Sequence, residues 1–247
     1  MPTRLVQLVV DAADPDRLAR FWATALSWAI VPSGGGDIDV WPRGYRYPDP
    51  VALPLTFVPV AEPEPKTTKN RIHLDLATQS EEHQTGLVAR LVTLGATPAD
   101  IGQGRTPWQV LADPEGNEFC VLEPRPVYAD TGPIAAVVAD CANPEAIAVF
   151  WRLATGWVPG DSVAAGVSLR SPAGTGPYLE LLRSADAKTV KNRVHLEVAP
   201  EHGEDQAAAV RKLIEAGAVP ADIGQGEVPW SVLADPEGSE FCVLTPR

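Results

Sequence analysis

The sequence predicts an α+β protein made of four βαβββ modules, two in each half of the chain. Two observations lead to this prediction: the second half repeats the first, and each half contains the series strand, helix and three strands twice. The segments 91–125 and 213–247 align with 26 identities in 35 positions. A repeat period this long indicates duplicated domains rather than a solenoid of short units.

The first module opens with a strand and a capped helix. The run LVQLVV, residues 5–10, is rich in valine and alternates as a strand does. Asp14 can cap a helix through its side-chain oxygen, and Pro15 suits the first helical position. Apolar residues then recur at helical spacing, and short strands are predicted near 38–41 and 53–58.

The second module begins at RIHLDLAT, residues 71–78, which reads as a strand. A helix is predicted from Glu81 to Leu94, where Gly95 ends it. Three strands are expected to follow, near 98–101, 108–112 and 118–122. The last two are joined by Asp-Pro-Glu-Gly, with proline and glycine where a type I turn favours them.

The second copy repeats this order from VVADCANPEAIAVFW, and the segment PRPVYADTGP separates the copies with turn-forming residues. We therefore predict a first domain over residues 1–125, a linker over 126–132 and a second domain over 133–247. Two tryptophans lie at or just after the first helix of each copy, and all four are assigned to core packing: Trp22, Trp28, Trp151 and Trp157. His83 and His202 lie outside the repeated motifs and are expected to face solvent.

Composition restricts the partners of the protein. The 247 residues carry 20 basic and 32 acidic side chains, a formal net charge of −12, so nucleic acid and anionic membranes would be repelled. Three cysteines without a CxxC pair make a disulfide framework improbable. With no signal peptide or membrane span in the pattern, we expect a cytoplasmic monomer that binds a small molecule.

Paired βαβββ modules, the helix DPDRLARFW, the strand RIHLDL and the closing strand DPEGNEFCVL resemble the vicinal oxygen chelate superfamily, and within it the glyoxalase-like and bleomycin-resistance-type domains. The resemblance covers nearly the whole chain, twice. It implies two cupped mixed β-sheets with helices on the outer faces. The superfamily includes isomerases, lyases, dioxygenases, thiol transferases and non-catalytic drug-binding proteins, so the fold alone does not define the activity.

The resemblance also implies where a metal would be held. In the metalloenzymes of the superfamily, a pair of modules places four side chains on its concave face, two from opening strands and two from closing strands. In the first copy, Gln7 and His73 occupy the two opening-strand positions, Cys120 replaces the usual glutamate, and 54–56 offers no acid or histidine.

The second copy differs from this pattern in another way. Ala136 replaces the glutamine, His195 keeps the histidine, Cys242 again replaces the glutamate, and Glu180 lies near the fourth position. Neither copy carries the full set of ligands. His195, Glu180 and Cys242 would form the more plausible site for a divalent metal such as Zn, Ni, Fe or Mn.

Besides metal ligation, two roles remain open for the repeated histidine. Side chains alternate along a strand, so Arg71, His73 and Asp75 share the face opposite the apolar one. His73 with Asp75, or His195 with Glu197, could act as a catalytic base and its orienting acid. Cys120 could act as a nucleophile. Alternatively, the histidines hydrogen-bond within a binding cup and the cysteines are small buried hydrophobes.

The loop 33–54 distinguishes the copies, since it carries Trp41, Tyr45 and Tyr47 whereas its counterpart has only Tyr178. Aromatic side chains on such a loop can close over a hydrophobic ligand, or pack against a neighbouring domain. We predict a protein that binds a small, partly hydrophobic metabolite or antibiotic-like compound without a complete metal site. The predicted contacts are Gln7, Trp41, His73, Asp75, Cys120 and Glu197. The alternative is a metal-dependent glyoxalase-type lyase or isomerase, with His73 or His195 catalytic.

Overall fold

The computed structural model describes residues 3–49, 52–60, 66–161 and 166–247. The first module comprises β1 (Arg4–Ala12), α1 (Pro15–Leu26), β2 (Ala29–Pro32), β3 (Ile38–Trp41) and β4 (Leu55–Pro59). The second comprises β5 (Ile72–Leu76), α2 (Glu81–Thr93), β6 (Thr97–Pro98), β7 (Gln109–Ala112) and β8 (Glu118–Val121).

The second copy provides the other two modules. The third comprises β9 (Ile134–Cys141), α3 (Pro144–Thr155), β10 (Val158–Pro159), β11 (Gly166–Arg170) and β12 (Tyr178–Arg183). The fourth comprises β13 (Val194–Ala199), α4 (Gln206–Glu215), β14 (Val219–Pro220), β15 (Ser231–Ala234) and β16 (Glu240–Val243). The predicted series βαβββ is thus confirmed four times, including short strands after α1 and α3 that the sequence pattern did not reveal.

The helices begin and end where the sequence predicts. The Asp14 side chain accepts a hydrogen bond from the backbone N–H of Arg17, and Asn143 does the same for Ala146 at the equivalent helix. At the end of α2, Gly95 has φ +110°, a conformation that residues with a Cβ rarely adopt. These local signals fix the lengths of the helices that cover the sheets.

Each of the two eight-stranded sheets combines one module from each copy. The first sheet has the order β14-β15-β16-β13-β1-β4-β3-β2, and the second has the order β10-β11-β12-β9-β5-β8-β7-β6. The first module therefore shares a sheet with the fourth, through antiparallel β1 and β13. The second shares a sheet with the third, through antiparallel β5 and β9. The two modules of one copy do not share a sheet, so each cup draws residues from both copies.

The helices pack against one face of each sheet. Leu8, Phe57 and Val198 from the first sheet lie in the large core that also contains Trp22 and Trp151. Trp28 and Trp157 are partly buried against the same core, so all four tryptophans have the predicted packing role. His83 and His202 are exposed, as predicted.

Contacts between helices and turns hold together the two modules of one copy. The indole N–H of Trp22 donates to the Asp113 carboxylate, at 3.2 Å, and Trp151 donates to Asp235 at 3.1 Å. Each aspartate also accepts backbone N–H groups of its own Asp-Pro-Glu-Gly turn. No helix within the described ranges is long and apolar enough to cross a membrane.

Candidate functional site

Two equivalent polar clusters lie on the sheet faces that point away from the helices, and we call these two faces the first and second cups. The first cup, on the sheet of the first and fourth modules, contains His195, Glu197 and Cys242. The second cup, on the other sheet, contains the equivalent cluster of His73, Asp75 and Cys120. Within each cluster, one nitrogen, oxygen or sulfur atom from every residue lies within 4.8 Å of the others.

Strand alternation and register explain why these residues meet. His195 and Glu197 are two positions apart on β13, so their side chains point to the same face. In the parallel pair β13–β16, Glu197 lies opposite Cys242, and in the antiparallel pair with β1 it lies opposite Gln7. The equivalent pairing of β5 places Asp75 opposite both Cys120 and Ala136.

Hydrogen bonds organise the cluster of the first cup. The amide Nε2 of Gln7 donates to Glu197 Oε2 at 2.7 Å. Nε2 of His195 lies 3.6 Å from the Cys242 sulfur and 4.0 Å from the other Glu197 oxygen. All three members of the cluster are buried, with His195 and Glu197 each 8% exposed. A buried, partly paired cluster of this kind is expected to have perturbed ionisation.

Burial keeps the cluster of the first cup largely uncharged. Loss of solvation, followed by the positive charge of Lys191, lowers the pKa of His195 to about 3, so its imidazole is neutral at pH 7. Loss of solvation raises the pKa of Glu197 to about 7, against the opposing hydrogen bond from Gln7. Burial and the neighbouring Glu197 also raise the pKa of the Cys242 thiol. A thiol in this state is not an activated nucleophile.

Aromatic side chains border the first cup. Asp39 and Trp41 share the concave face of β3, because Val40 between them lies in the core under the helices. The rings of Trp41 and Tyr45 are 5.3 Å apart, and Tyr47 packs against the apolar part of the cup around Val6 and Cys242. The loop that distinguishes the two copies therefore lies beside the cluster that contains His195.

Two polar atoms of this aromatic group are buried without a hydrogen-bond partner. They are the indole Nε1 of Trp41 and the hydroxyl oxygen of Tyr47, and no atom of the chain that the structure describes satisfies either one. Buried polar groups in folded proteins are paired with few exceptions, and leaving one unpaired costs about 1–3 kcal/mol. Both atoms lie beside the polar cluster of the first cup.

The cluster of the second cup lacks the glutamine that holds the acid of the first cup. Nε2 of His73 lies 3.5 Å from Oδ1 of Asp75, and this oxygen is buried without a hydrogen-bond partner of suitable geometry among the described residues. Ala136 takes the position that Gln7 holds in the first cup, so no amide reaches the acid. Burial and the nearby Asp75 raise the pKa of the Cys120 thiol.

Tyr128 from the linker fills part of the second cup. Its hydroxyl donates to Glu180 Oε1 at 2.6 Å, and its ring packs against a cluster that includes Cys120 and Ala136. The Arg125 guanidinium lies 5.9 Å from the centre of the same ring. Burial raises the pKa of Glu180, although the hydrogen bond from Tyr128 opposes the shift. The two cups are thus lined differently despite their common fold.

The sheet pairing corrects the expected grouping of site residues. Glu180 is on β12 of the second sheet, so it does not lie with His195 and Cys242, and these three do not form the expected metal set. Gln7 and Trp41 lie in the first cup, whereas His73 and Asp75 lie in the second, so these four do not contact one ligand together. The expectation treated each copy as one cup, whereas each cup takes a module from both.

Sequence analysis missed Tyr128 and Arg125, because they fall at the end of the first copy and in the segment assigned to the linker. One signal was available. The linker carries a tyrosine within PRPVYADTGP, and a large aromatic side chain in a connecting segment requires a place to pack. The 3₁₀ turn at Pro126–Tyr128 directs this side chain into the cup.

Tyr128→Phe is expected to lower the free energy of unfolding by about 1–3 kcal/mol, because the buried Glu180 carboxyl loses its hydrogen-bond donor. Urea unfolding measures the change. Tyr47→Phe is the matched control, since it removes a buried hydroxyl that has no hydrogen-bond partner among the described residues, and it should cost nothing or stabilise the protein. Equal losses in the two variants would contradict the assigned role of the Tyr128–Glu180 bond.

The family of the chain is shown by a match to a family model in both copies. A family model described as a glyoxalase-like domain matches residues 7–122 and again residues 136–244. The chain belongs to the glyoxalase-like domain family. Both matches span one complete copy of the repeat, so the resemblance to the vicinal oxygen chelate superfamily is confirmed for both copies. None of the curated proteins matches the chain.

Solved structures of glyoxalase-like proteins share the fold. Glyoxalase I from Zea mays is 15% identical to this chain, with a TM-score of 0.62 over 98% of this chain and 92% of that chain. A candidate dioxygenase from Bacillus subtilis is 12% identical, with a TM-score of 0.63 over 98% of this chain and 84% of that chain. At these identities the likeness concerns the arrangement of the modules and carries no activity over to this glyoxalase-like protein.

Proposed function

We propose that the first cup binds a small, partly hydrophobic organic molecule that carries at least one polar group. The observation that supports this most directly is the pair of unsatisfied atoms, Trp41 Nε1 and Tyr47 Oη, beside the buried polar cluster. Ligand pockets commonly combine apolar and aromatic walls with a few polar groups that orient the ligand. The first cup offers both kinds of surface.

The polar side chains of the first cup suit a ligand that can both donate and accept hydrogen bonds. Neutral His195 can do either, depending on its tautomer. Glu197, whose pKa is about 7, is present near neutrality both as an acid that donates and as a carboxylate that accepts. Gln7 holds the Glu197 carboxyl in place at 2.7 Å. The same pair of groups would allow proton transfer to or from a ligand, which is the simplest chemistry that the cup could perform.

A binding screen with matched variants tests this proposal. Tag-free protein is titrated with a panel of aromatic and carbonyl compounds, and binding is measured by calorimetry and by tryptophan fluorescence. We expect one equivalent bound per chain, with affinity reduced at least tenfold in Trp41→Phe and in His195→Gln. His73→Gln alters the equivalent histidine of the second cup and should bind as the wild type does.

The variant pattern separates binding in the first cup from binding elsewhere. Equal loss of affinity in His73→Gln and His195→Gln would place the ligand outside the first cup. Release of a chemically altered product during the titration would instead indicate turnover, and the His195→Gln and Glu197→Gln variants would then identify the residues that move the proton.

A metal-dependent reaction is a second candidate function, favoured by the second cup. His73, Asp75 and Cys120 offer a nitrogen, an oxygen and a sulfur donor within 4.8 Å of one another, and Oδ1 of Asp75 is buried without a hydrogen-bond partner in the described part of the chain. These donor types fit a zinc-like divalent ion. The cluster of the first cup fits less well, because Gln7 already occupies one Glu197 oxygen.

In this second candidate, His73, Asp75 and Cys120 would hold the ion, and the ion would act as a Lewis acid that polarises a carbonyl oxygen. The deciding measurement is elemental analysis of tag-free protein purified without chelator, repeated for His73→Ala and His195→Ala. About one equivalent of Zn, Ni, Fe or Mn that is lost only in His73→Ala would support a metal site in the second cup. Metal-free, folded wild-type protein would count against it.

A further inference from the structure

A cavity of about 890 Å³ lies at the junction of the two sheets, outside both polar clusters. Its wall includes the two copies of the Lys-Asn-Arg motif, at 69–71 and 191–193, which immediately precede β5 and β13. The ends of β1 and β9 contribute Asp11 and Asp140. Both copies therefore build this cavity from equivalent segments.

The described residues of the cavity wall carry a net positive charge, although the chain as a whole is acidic. Among the described residues, five cationic residues line it against three acidic residues, Asp11, Asp140 and Asp186, whereas the whole chain has a formal charge of −12. The five cations are Lys66, Lys69, Arg71, Lys191 and Arg193. An excess of positive charge on a concave surface raises the local concentration of anionic ligands.

Ion pairs compensate most of these cations, with one exception. Lys69 lies 2.6 Å from Asp140, and Lys191 makes the equivalent contact with Asp11. The Arg71 guanidinium donates instead to two backbone carbonyl oxygens, those of residues 186 and 140, at 2.6 and 2.8 Å. Within the part of the chain that the structure describes, Arg71 forms no ion pair with a carboxylate, and its Nε–H is buried without a partner.

A second unpaired donor comes from the other copy. Asn70 donates through its side-chain amide to Asn117 at 3.0 Å. In the second copy Ser239 replaces Asn117, and the amide nitrogen of the equivalent Asn192 is buried without a partner among the described residues. Arg71 and Asn192, which both line the cavity, thus each hold one buried N–H donor without a partner among the described residues.

We infer that the junction cavity binds a small organic anion through a carboxylate or phosphate group. The inference rests on the basic wall, on the Arg71 charge that no described carboxylate neutralises, and on two donors that require an acceptor. The volume lies within the range of small-molecule sites. The inferred anion site is independent of the ligand proposed for the first cup, because no residue of either polar cluster lines the junction cavity.

Thermal unfolding in different anions tests the inference on the intact protein. Citrate and inorganic phosphate are compared with chloride at equal ionic strength, and each is titrated by calorimetry. We expect citrate or phosphate at about ten times its dissociation constant to raise the melting temperature by about 3–5 °C over chloride. The anion that binds more tightly identifies which of the two groups the cavity prefers.

Arg71→Gln is expected to weaken anion binding at least tenfold, because it removes the charge that no described carboxylate compensates. Arg105→Gln removes the same charge from an exposed loop outside the cavity and should leave binding unchanged. If Arg71→Gln does not fold, amide chemical shifts of the wild-type protein replace it, with citrate-induced changes expected at both 69–71 and 191–193. Absence of anion-specific stabilisation, equal effects of the two variants, or shifts confined to other segments would each overturn the inference.

Discussion

The variants His195→Gln and Glu197→Gln are expected to show opposite pH dependences of stability between pH 5 and pH 7. Both residues are buried in the first cup, and burial disfavours the charged form of each. One is a base whose pKa is lowered in the fold, and the other is an acid whose pKa is raised. Their effects on stability therefore oppose each other as the pH changes.

His195 makes the protein less stable as the pH falls. Its pKa drops from 6.5 to about 3 on folding, so between these values the unfolded chain binds the proton and the folded protein does not. The stability that neutral His195 permits is complete above pH 6.5 and is lost towards pH 3. By linkage, the loss of stability at pH 5 is about 2 kcal/mol.

Glu197 makes the protein less stable as the pH rises. Its pKa increases from 4.5 to about 7 on folding, so over this interval the folded protein holds a proton that the unfolded chain has released. The stability is complete below pH 4.5 and decreases by about 2 kcal/mol between pH 5 and pH 7. In the wild type these two slopes nearly cancel over this range.

Urea unfolding at pH 5 and pH 7 measures both variants against the wild type. Relative to the wild type, His195→Gln should be more stable at pH 5 than at pH 7 by about 2 kcal/mol, and Glu197→Gln should show the reverse. The double variant should return to the wild-type slope. If both single variants keep the wild-type profile, the two groups do not titrate as their burial implies, and the proposed proton transfer in the first cup loses its basis.

Local sequence signals were sufficient to predict the modules. Alternation in LVQLVV, the Asp14 and Pro15 helix start and the glycine after α2 each act through a few neighbouring residues, and the structure has the elements where these signals place them. The same alternation placed His73 and Asp75 on one polar face. If the fold follows the resemblance, His73 and Cys120 can share a cup, and in the structure both belong to the cluster of the second cup.

The partner of each module was not available from the sequence. The two copies are so similar that β1 could pair with β5 or β13, and the apolar pattern fits both. The choice of partner strand decides which residues share a cup. Because the sequence does not reveal this choice, Glu180 was grouped with His195, which lies in the other sheet. Side chains from irregular segments were equally hard to place, because Tyr128 reaches the second cup through a turn that no periodic pattern marks.

The sheet pairing also predicts how one copy behaves alone. Residues 1–125 contain the first and second modules, which are held together by Phe21, Trp22 and their contacts with Asp113 and Phe119. In this fragment β1 lacks β13 and β5 lacks β9, so each half-sheet has an open edge where the full chain has a neighbouring strand. Open, regular edges of this kind favour pairing with another chain.

We expect the fragment 1–125 to form a symmetric dimer in which β1 of each subunit pairs with β5 of the other. The strand IHLDL of β5 closely matches VHLEV of β13, so it can take the place of β13 opposite β1. Light scattering after gel filtration should show a species of about the mass of the full chain, and the fragment 133–247 mixed with it should give heterodimers. A folded monomer that unfolds cooperatively would show that one copy closes its own cup. In that case the modules pair across copies because the two copies are joined in one chain, and not because of the open strand edges. A dimer would mean that duplication replaced the symmetric contact between two subunits and allowed the two cups to diverge, one with Gln7 and an aromatic loop, the other with Tyr128 and Glu180.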